Sequence, residues 1–481
     1  MKLYFYNTLN KTKEVFAAIN PPQVKIYSCG PTVYSHTHLG HMRTYTNTDI
    51  LCRVLRYFGF KPLQVMNITD VGHLTGDRNM GKDKMEEAAR REKLNAWQIT
   101  EKYTKEFFDV LSSLNINRPD IVAKATDNIQ AMILLVQALE KKGYVYRISD
   151  GLYFDTAKLS DYGKLANVDL KDLKEGARVE INAERRNPTD FALWKFTPPG
   201  VSRQMEWKSP WAEKSFPGWH IECSTLAMNF LSNCFSNGKF YPKKFQTIDI
   251  HTGGIEHINI HHTNEIAQTE SATGQKFVNY WLHNNWLQVD GEKMSKSKGN
   301  FYTRDDLSKK GYSNLMPLRY LFLNTHYRKK MNFTWEALAG AKKAWRQLVN
   351  EVKDWQRAGE KSNKNIKEIN LWQNSFRGAV ADDLNMPQGL AVLWRMTKSD
   401  LLPEAKLTLI KKFDQVLGLD LINAAEQKQE VPKKVIQFAE ERLILRNNNN
   451  WQKADVIRKK IEKAGYGIED TAGGFILKKK H

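Results

Sequence analysis

Cysteine is scarce in this chain. Four stand in 481 residues, Cys29, Cys52, Cys223 and Cys234, widely spaced and in no secretory context. That argues against a disulfide framework and for a reducing, cytoplasmic setting. No apolar run is long enough to cross a bilayer, and residues 1–6 lack a signal-peptide layout, so no membrane partner is expected. There is no internal repeat, and no low-complexity tract beyond Asn447–Asn450. Acidic residues are in deficit: 53 Asp+Glu stand against 73 Lys+Arg, a net charge of +20. A chain this basic is expected to meet a polyanion, with nucleic acid the first choice. Its length exceeds what one core serves and implies two to four domains.

Residues 24–43 carry the first functional pattern. A short apolar strand (Val24, Ile26) breaks at Cys29-Gly30-Pro31 and leads to His38-Leu39-Gly40-His41. A helix is predicted over 41–58, with Ile50, Leu51, Val54, Leu55 and Phe58 on one face and Gly59 as its stop. A helix N-terminus bearing two histidines around a glycine suits phosphate: free backbone N–H groups face the anion, and the imidazoles add donors. A strand over 63–69 completes a βαβ unit, which puts Cys29 and Thr69 on one rim at the carboxyl ends of parallel strands.

Farther on, a charged helical stretch spans 82–114, and 121–212 is turn-rich, with a helix near 127–141, and reads as an insertion between two halves of a sheet. The α/β pattern resumes at Trp219: a strand 247–251 ends in Thr252-Gly253-Gly254, a helix covers 261–273, and a strand 280–289 leads to Lys293-Met294-Ser295-Lys296-Ser297. Beyond 315 the pattern is helical, with helices at 371–381, 387–398 and 405–417, and 432–481 combines two helices with a strand-like end at Gly473–Leu477.

Two constellations carry chemistry. Lys293 and Lys296, three apart among small hydroxyl residues, form a cationic loop suited to closing on a triphosphate. His261 and Glu265, at i and i+4, share a helix face, and with Cys29 and Cys223 they match the ligand preferences of zinc. Spacing alone leaves His257 and His262 as competing ligands.

Together these residues resemble the cysteinyl-tRNA synthetases, a family of class I aminoacyl-tRNA synthetases. The resemblance runs nearly end to end, through 26–34, the HLGH and KMSKS signatures, Asp190–Lys195, Gly218–Ser224, His261–Gln268 and Asp382–Pro387. It implies an α/β fold: a class I Rossmann-type catalytic domain (1–120 and 213–267) with a connective insertion (121–212). A stem-contact region with the KMSKS loop (268–335), a helical bundle (336–430) and a small mixed α/β anticodon-binding domain (431–481) follow. It implies one zinc ion per chain held by Cys29, Cys223, His261 and Glu265. ATP, accompanied by Mg2+, would lie against His38, Gly40, His41, Gly253, Gly254 and Glu256, with Lys293, Met294 and Lys296 closing over it. Catalysis would fall to His38, His41, Lys293 and Lys296. Cys29, Thr32, Thr69, Trp219 and His251 would line the pocket for L-cysteine, and Arg446, Trp451 and Asp455 would read the anticodon of tRNA(Cys). A monomer without a hydrolytic editing domain is expected, because zinc can separate cysteine from serine where packing cannot.

The chain departs from the common family pattern at three places. Ile255-Glu256 stands for serine and aspartate after the paired glycines, Thr263 for a glutamate, and Val71-Gly72-His73, with Lys82-Asp83-Lys84 beyond it, for an acidic run. The alternatives are a cysteine:amino-sugar ligase sharing the catalytic half, which would lack the anticodon region, and a non-catalytic RNA-binding relative, which would have lost a signature.

Overall fold

The computed structural model describes residues 1–72, 83–166, 183–295, 299–358, 366–427, 432–471 and 474–479. They divide into two compact units, Met1–Ile422 and Asn423–His481.

The larger unit is organised on five parallel strands: β1 (Gln23–Ser28), β2 (Lys61–Ile68), β3 (Ile121–Lys124), β4 (Ile248–Gly254) and β5 (Val278–Asn284). Their spatial order is β5-β4-β1-β2-β3. Chain direction across the sheet reverses between β1 and β4, which is where an open α/β sheet leaves a crevice at its carboxyl edge. All seven residues of β4 are buried, as are Val24, Ile26 and Tyr27 of β1. Such continuous burial is the mark of parallel strands covered on both faces.

Helix α1 (Leu39–Tyr57) joins β1 to β2. His38 caps it, its Nδ1 accepting from the Gly40 N–H at 3.1 Å. Gly59, at φ 87°, ends the turn beyond it in a conformation that favours glycine. Further helices of the same unit are α2 (Ile129–Lys141), α3 (Trp219–Ser232) and α4 (Thr263–Thr273).

The sheet reaches past the boundaries read from sequence. Ile121–Lys124, expected in the insertion, hydrogen-bonds along β2, and Val278–Asn284, expected beyond the catalytic half, hydrogen-bonds along β4. What is inserted is a separate antiparallel sheet of Val145–Ile148, Gly151–Phe154, Phe191–Phe196 and Ser215–Pro217.

Three other elements differ from expectation for identifiable reasons. The stretch 82–114 is two helices, Lys84–Glu92 and Ala96–Ser113, because Asn95 and Gln98 form a capping box that starts the second. The strand expected over 280–289 breaks at Asn285-Trp286. There the buried Arg43 of α1 takes both carbonyl oxygens, at 2.7 and 3.0 Å, and Leu287–Val289 pairs instead with Glu292–Lys293 and Met331–Phe333. The helix expected from 261 opens with a π-turn at Ile258–His262 before α4.

A helical bundle of Trp335–Arg357, Ile366–Ala381, Met386–Thr397 and Pro403–Leu417 closes the larger unit. Arg319, fully buried, joins the bundle to α1. It donates to the carbonyls of Leu417 (2.7 Å), Leu114 (2.9 Å) and Asn115 (3.2 Å) and to Asp49 Oδ2 of α1 (2.6 Å). The smaller unit packs Lys433–Asn447 and Trp451–Lys463 with a hairpin of Tyr466–Thr471 and Gly474–Lys479. Only the second strand of that hairpin was legible in the sequence, and Gly473 lies outside the described residues.

Arg319→Met strands the buried carbonyls of Leu417 and Leu114 and removes a partner of the buried Asp49, so the larger unit is expected to lose about 3 kcal/mol of unfolding free energy. Lys105→Ala, at an exposed ion pair, should cost less than about 0.5 kcal/mol. Urea unfolding of both variants checks this, and equal losses would contradict the role given to Arg319.

Candidate active site

Four potential ligand atoms meet below the carboxyl edge of β1 and β4. Cys29 follows β1, Cys223 stands on α3, His261 lies in the π-turn and Glu265 in α4. Their ligand atoms lie within 4.8 Å of one another, and all four residues are buried. His261 Nε2 is 3.3 Å from Cys223 Sγ and 3.1 Å from Glu265 Oε1, and Cys29 Sγ is 3.9 Å from the same oxygen. Burial, then the neighbouring Cys223, pushes the Cys29 thiol well above its ordinary pKa. Burial likewise raises Cys223 and Glu265. Each shift reflects the cost of anionic charge in a buried site.

A second quartet shares two members: Cys29, His251, His262 and Glu265 also lie within 4.8 Å. His262 Nε2 is 3.3 Å from Cys29 Sγ, and His251 Nε2 is 3.0 Å from Glu265 Oε2. The two sets differ in what they face. Cys29, Cys223 and His261 line a small cavity of about 140 Å³, together with Thr32, Thr69 and Trp219, whereas His251 and His262 do not. His251, expected in the amino-acid pocket, is fully buried and backs Glu265. His257 lines the cavity and belongs to neither quartet. An ion on Cys29, Cys223, His261 and Glu265 would therefore meet a small ligand, and one on the other set would not.

Two glycines allow this crowding. A Cβ on Gly30 would lie 1.6 Å from the Asn67 carbonyl oxygen, and one on Gly253 would lie 2.5 Å from His262 Cε1. Gly30 lets the loop after β1 run against the end of β2, where Thr32 and Thr69 form a backbone bridge.

A larger cavity of about 330 Å³ opens beside the first. His38, Gly40, His41, Gly254, Glu256, Lys293 and Met294 line it, with Trp286 and Phe301. The His38 and His41 rings stack with centroids 3.8 Å apart. Residues following the KMSKS loop close the same corner, Leu39 donating its N–H to the Tyr302 carbonyl at 3.1 Å. Lys293 is exposed, and Lys296 lies outside the described residues. His41, Thr44, Gly254 and Glu256 line both cavities, so the two meet at one wall.

In the smaller unit, described by itself, the Arg446 guanidinium lies 5.0 Å from the centroid of the half-exposed Trp451 ring and 3.2 Å from Asp470. Asp455 is exposed one turn along the helix from Trp451.

Sequence reasoning did not reach the residues that hold these groups. His220 Nδ1 is 2.9 Å from His261 Nδ1, and the Thr69 hydroxyl donates to the buried Glu222 at 2.9 Å. His283 Nε2 is 2.8 Å from His262 Nδ1. His220 and Glu222 sit in the quoted 218–224 motif, a signal that was available. His283, in a strand, gave none.

The family model for the tRNA synthetases class I (C) catalytic domain matches residues 15–343. The cysteine–tRNA ligase of Treponema denticola is 40% identical over 506 residues, covering 100% of both chains. Cysteine–tRNA ligase 1 of Burkholderia lata is 42% identical over 475 residues, covering 98% of this chain and 96% of its own. The chain belongs to the cysteine–tRNA ligase family of class I tRNA synthetases. The Thermus thermophilus cysteine–tRNA ligase is 37% identical over 492 residues, covering 98% of both chains. In fold the family member described here is similar to Mycobacterium tuberculosis methionyl-tRNA synthetase in complex with methionyl-adenylate. The TM-score is 0.57 at 15% identity, over 84% of this chain and 90% of that one. It is also similar to the LeuRS–tRNA–LeuAMS ternary complex from Agrobacterium radiobacter K84, with TM-score 0.62 at 11% identity, over 86% and 87%.

Burial lowers the His41 imidazole to about 4, so it stands neutral in the folded chain at pH 7. The unfolded ring, near 6.5, binds a proton that the folded ring refuses, so this group costs stability as pH falls from about 6.5 to about 4. In histidine-labelled NMR, the resonance lost in His41→Asn is expected to titrate near pH 4. A midpoint near 6.5 would contradict the burial.

Proposed function

We propose that this chain activates L-cysteine with ATP and passes it to tRNA(Cys), giving Cys-tRNA(Cys), AMP and diphosphate. Class I tRNA synthetases use ATP and bind an amino acid and tRNA. The observation that carries the specific reading is the small cavity floored by two thiols and an imidazole, sharing a wall with a cavity lined by the HLGH and KMSKS signatures.

In the first step a carboxylate oxygen of cysteine attacks the α-phosphorus. An O–P bond forms, the bond to the bridging oxygen breaks, and diphosphate leaves. The chain contributes position and charge. The N-terminus of α1, with the Gly40 backbone, the His38 ring and the neutral His41 ring as donors, faces the phosphates, and Lys293 offsets charge on the leaving diphosphate. The resemblance adds Lys296 to that set. In the second step a ribose hydroxyl at the tRNA 3′ end attacks the carbonyl carbon and AMP leaves. Thr32, Thr69 and Trp219 flank the amino acid throughout.

The donor set of Cys29, Cys223, His261 and Glu265 fits zinc: two sulfurs, one imidazole and one carboxylate, each buried and close enough to share an ion. Bound there, zinc would supply a thiophilic position that accepts the sulfur of cysteine and discriminates against the hydroxyl of serine. The neighbouring His220 would fix the His261 ring, as outer partners of metal ligands do. Arg446 at the end of the helix Lys433–Asn447, with Trp451 and Asp455 at the start of the helix Trp451–Lys463, are the proposed anticodon readers, basic, aromatic and acidic. The active species is taken as a monomer.

Cys223→Ala is expected to lose zinc and cysteine-dependent ATP–diphosphate exchange together. Lys293→Ala should slow exchange about 100-fold while leaving tRNA affinity nearly unchanged. Trp451→Ala should weaken charging of tRNA and leave exchange intact. Metal analysis, exchange assays and tRNA charging read these outcomes, and full exchange by a metal-free Cys223→Ala protein would overturn the zinc assignment.

A further inference from the structure

Trp286 is 49% exposed at the break between β5 and Leu287–Val289, yet its backbone is fixed. Its carbonyl accepts from Arg43 Nη1 and from the Met331 N–H, both at 3.0 Å, and its own N–H donates to Asn285 Oδ1 at 2.8 Å. From that anchor the indole N–H donates to Glu256 Oε2 at 3.1 Å. The Glu256 side chain also folds back over Gly254, where a Cβ would lie 2.1 Å from its Oε1. An exposed glutamate ordinarily samples many rotamers. This one is held at one oxygen by a fixed ring and at the other side by a glycine whose missing side chain makes room for it.

The chemistry of the pair indicates what it meets. Indole is a neutral donor with no acceptor, so it orients the carboxylate without neutralising it. A carboxylate so oriented repels phosphate and accepts hydrogen bonds from hydroxyls. Trp286 lines only the larger cavity, while Glu256 lies on the wall common to both, so the indole draws the carboxylate toward the larger side. In a nucleotide lying there, the hydroxyls are those of the ribose.

We propose that Trp286 is a positioning residue for ATP, its indole N–H holding the Glu256 carboxylate as acceptor for the ribose hydroxyls. This rests on the larger cavity being the ATP site. It also gives the longer acid at 256 a physical role, since the extra methylene lets the side chain reach the indole and still turn over Gly254.

The test compares ATP with 2′,3′-dideoxyATP in cysteine-dependent exchange on the full chain. Trp286→Phe keeps a ring on the loop and removes the donor. Its preference for ATP over the dideoxy nucleotide should fall about tenfold, through KM for ATP rather than kcat. Glu256→Gln should lose the same preference, and the double variant should lose no more than Glu256→Gln alone. Unchanged preference, equal losses with both nucleotides, or additive effects would each overturn the assignment. Absence of exchange in the unaltered protein would instead overturn the functional reading, and this inference with it.

Discussion

Two thiols, an imidazole and a carboxylate buried within reach of one another form an arrangement that folding alone does not favour. Burial penalises each anionic form and pushes the Cys29, Cys223 and Glu265 pKa values up. Much of the surrounding architecture serves to keep the four in place. Gly30 and Gly253 let backbone pass where any side chain would collide, the π-turn carries His261 toward Cys223, and His220 and His251 hold His261 and Glu265 from behind. A shared cation would convert this cost into binding energy, which is the physical sense of the zinc proposal.

The same sheet edge forms the larger cavity. Because chain direction reverses between β1 and β4, the end of β1 supplies Cys29 and the helix cap at His38, and the end of β4 supplies Gly253 and Gly254. The cavities share His41 and Glu256, so an amino acid in one and a nucleotide in the other would meet where a carboxylate has to approach a phosphorus. Arg43 and Arg319 extend the rigidity outward. One ties α1 to the loop carrying Trp286, and the other ties it to the bundle.

Parts of this were legible in the sequence for physical reasons. The βαβ unit showed because β1, α1 and β2 have clear periodicity and a glycine stop, whereas HLGH is too short a pattern to mark a phosphate site by itself and gained weight only beside the KMSKS stretch downstream. The choice of ligands was not legible from spacing, where His257, His261 and His262 all qualify; the fold sets His257 outside both quartets and leaves His261 in one and His262 in the other. Ile121–Lys124 read as insertion because four half-buried residues carry little pattern of their own, and pairing with β2 decides their place. Trp286 gave no signal, since its role comes from a contact with Glu256 across thirty residues of chain.

The central claim is that the buried quartet holds a metal which then takes the thiol of the substrate. Cobalt(II) exchanged into the full chain tests it most directly, because thiolate ligation gives a charge-transfer absorption. The account predicts a thiolate–cobalt band on loading that intensifies with cysteine and not with serine. A chain that retains no cobalt, or a band indifferent to cysteine, would contradict it.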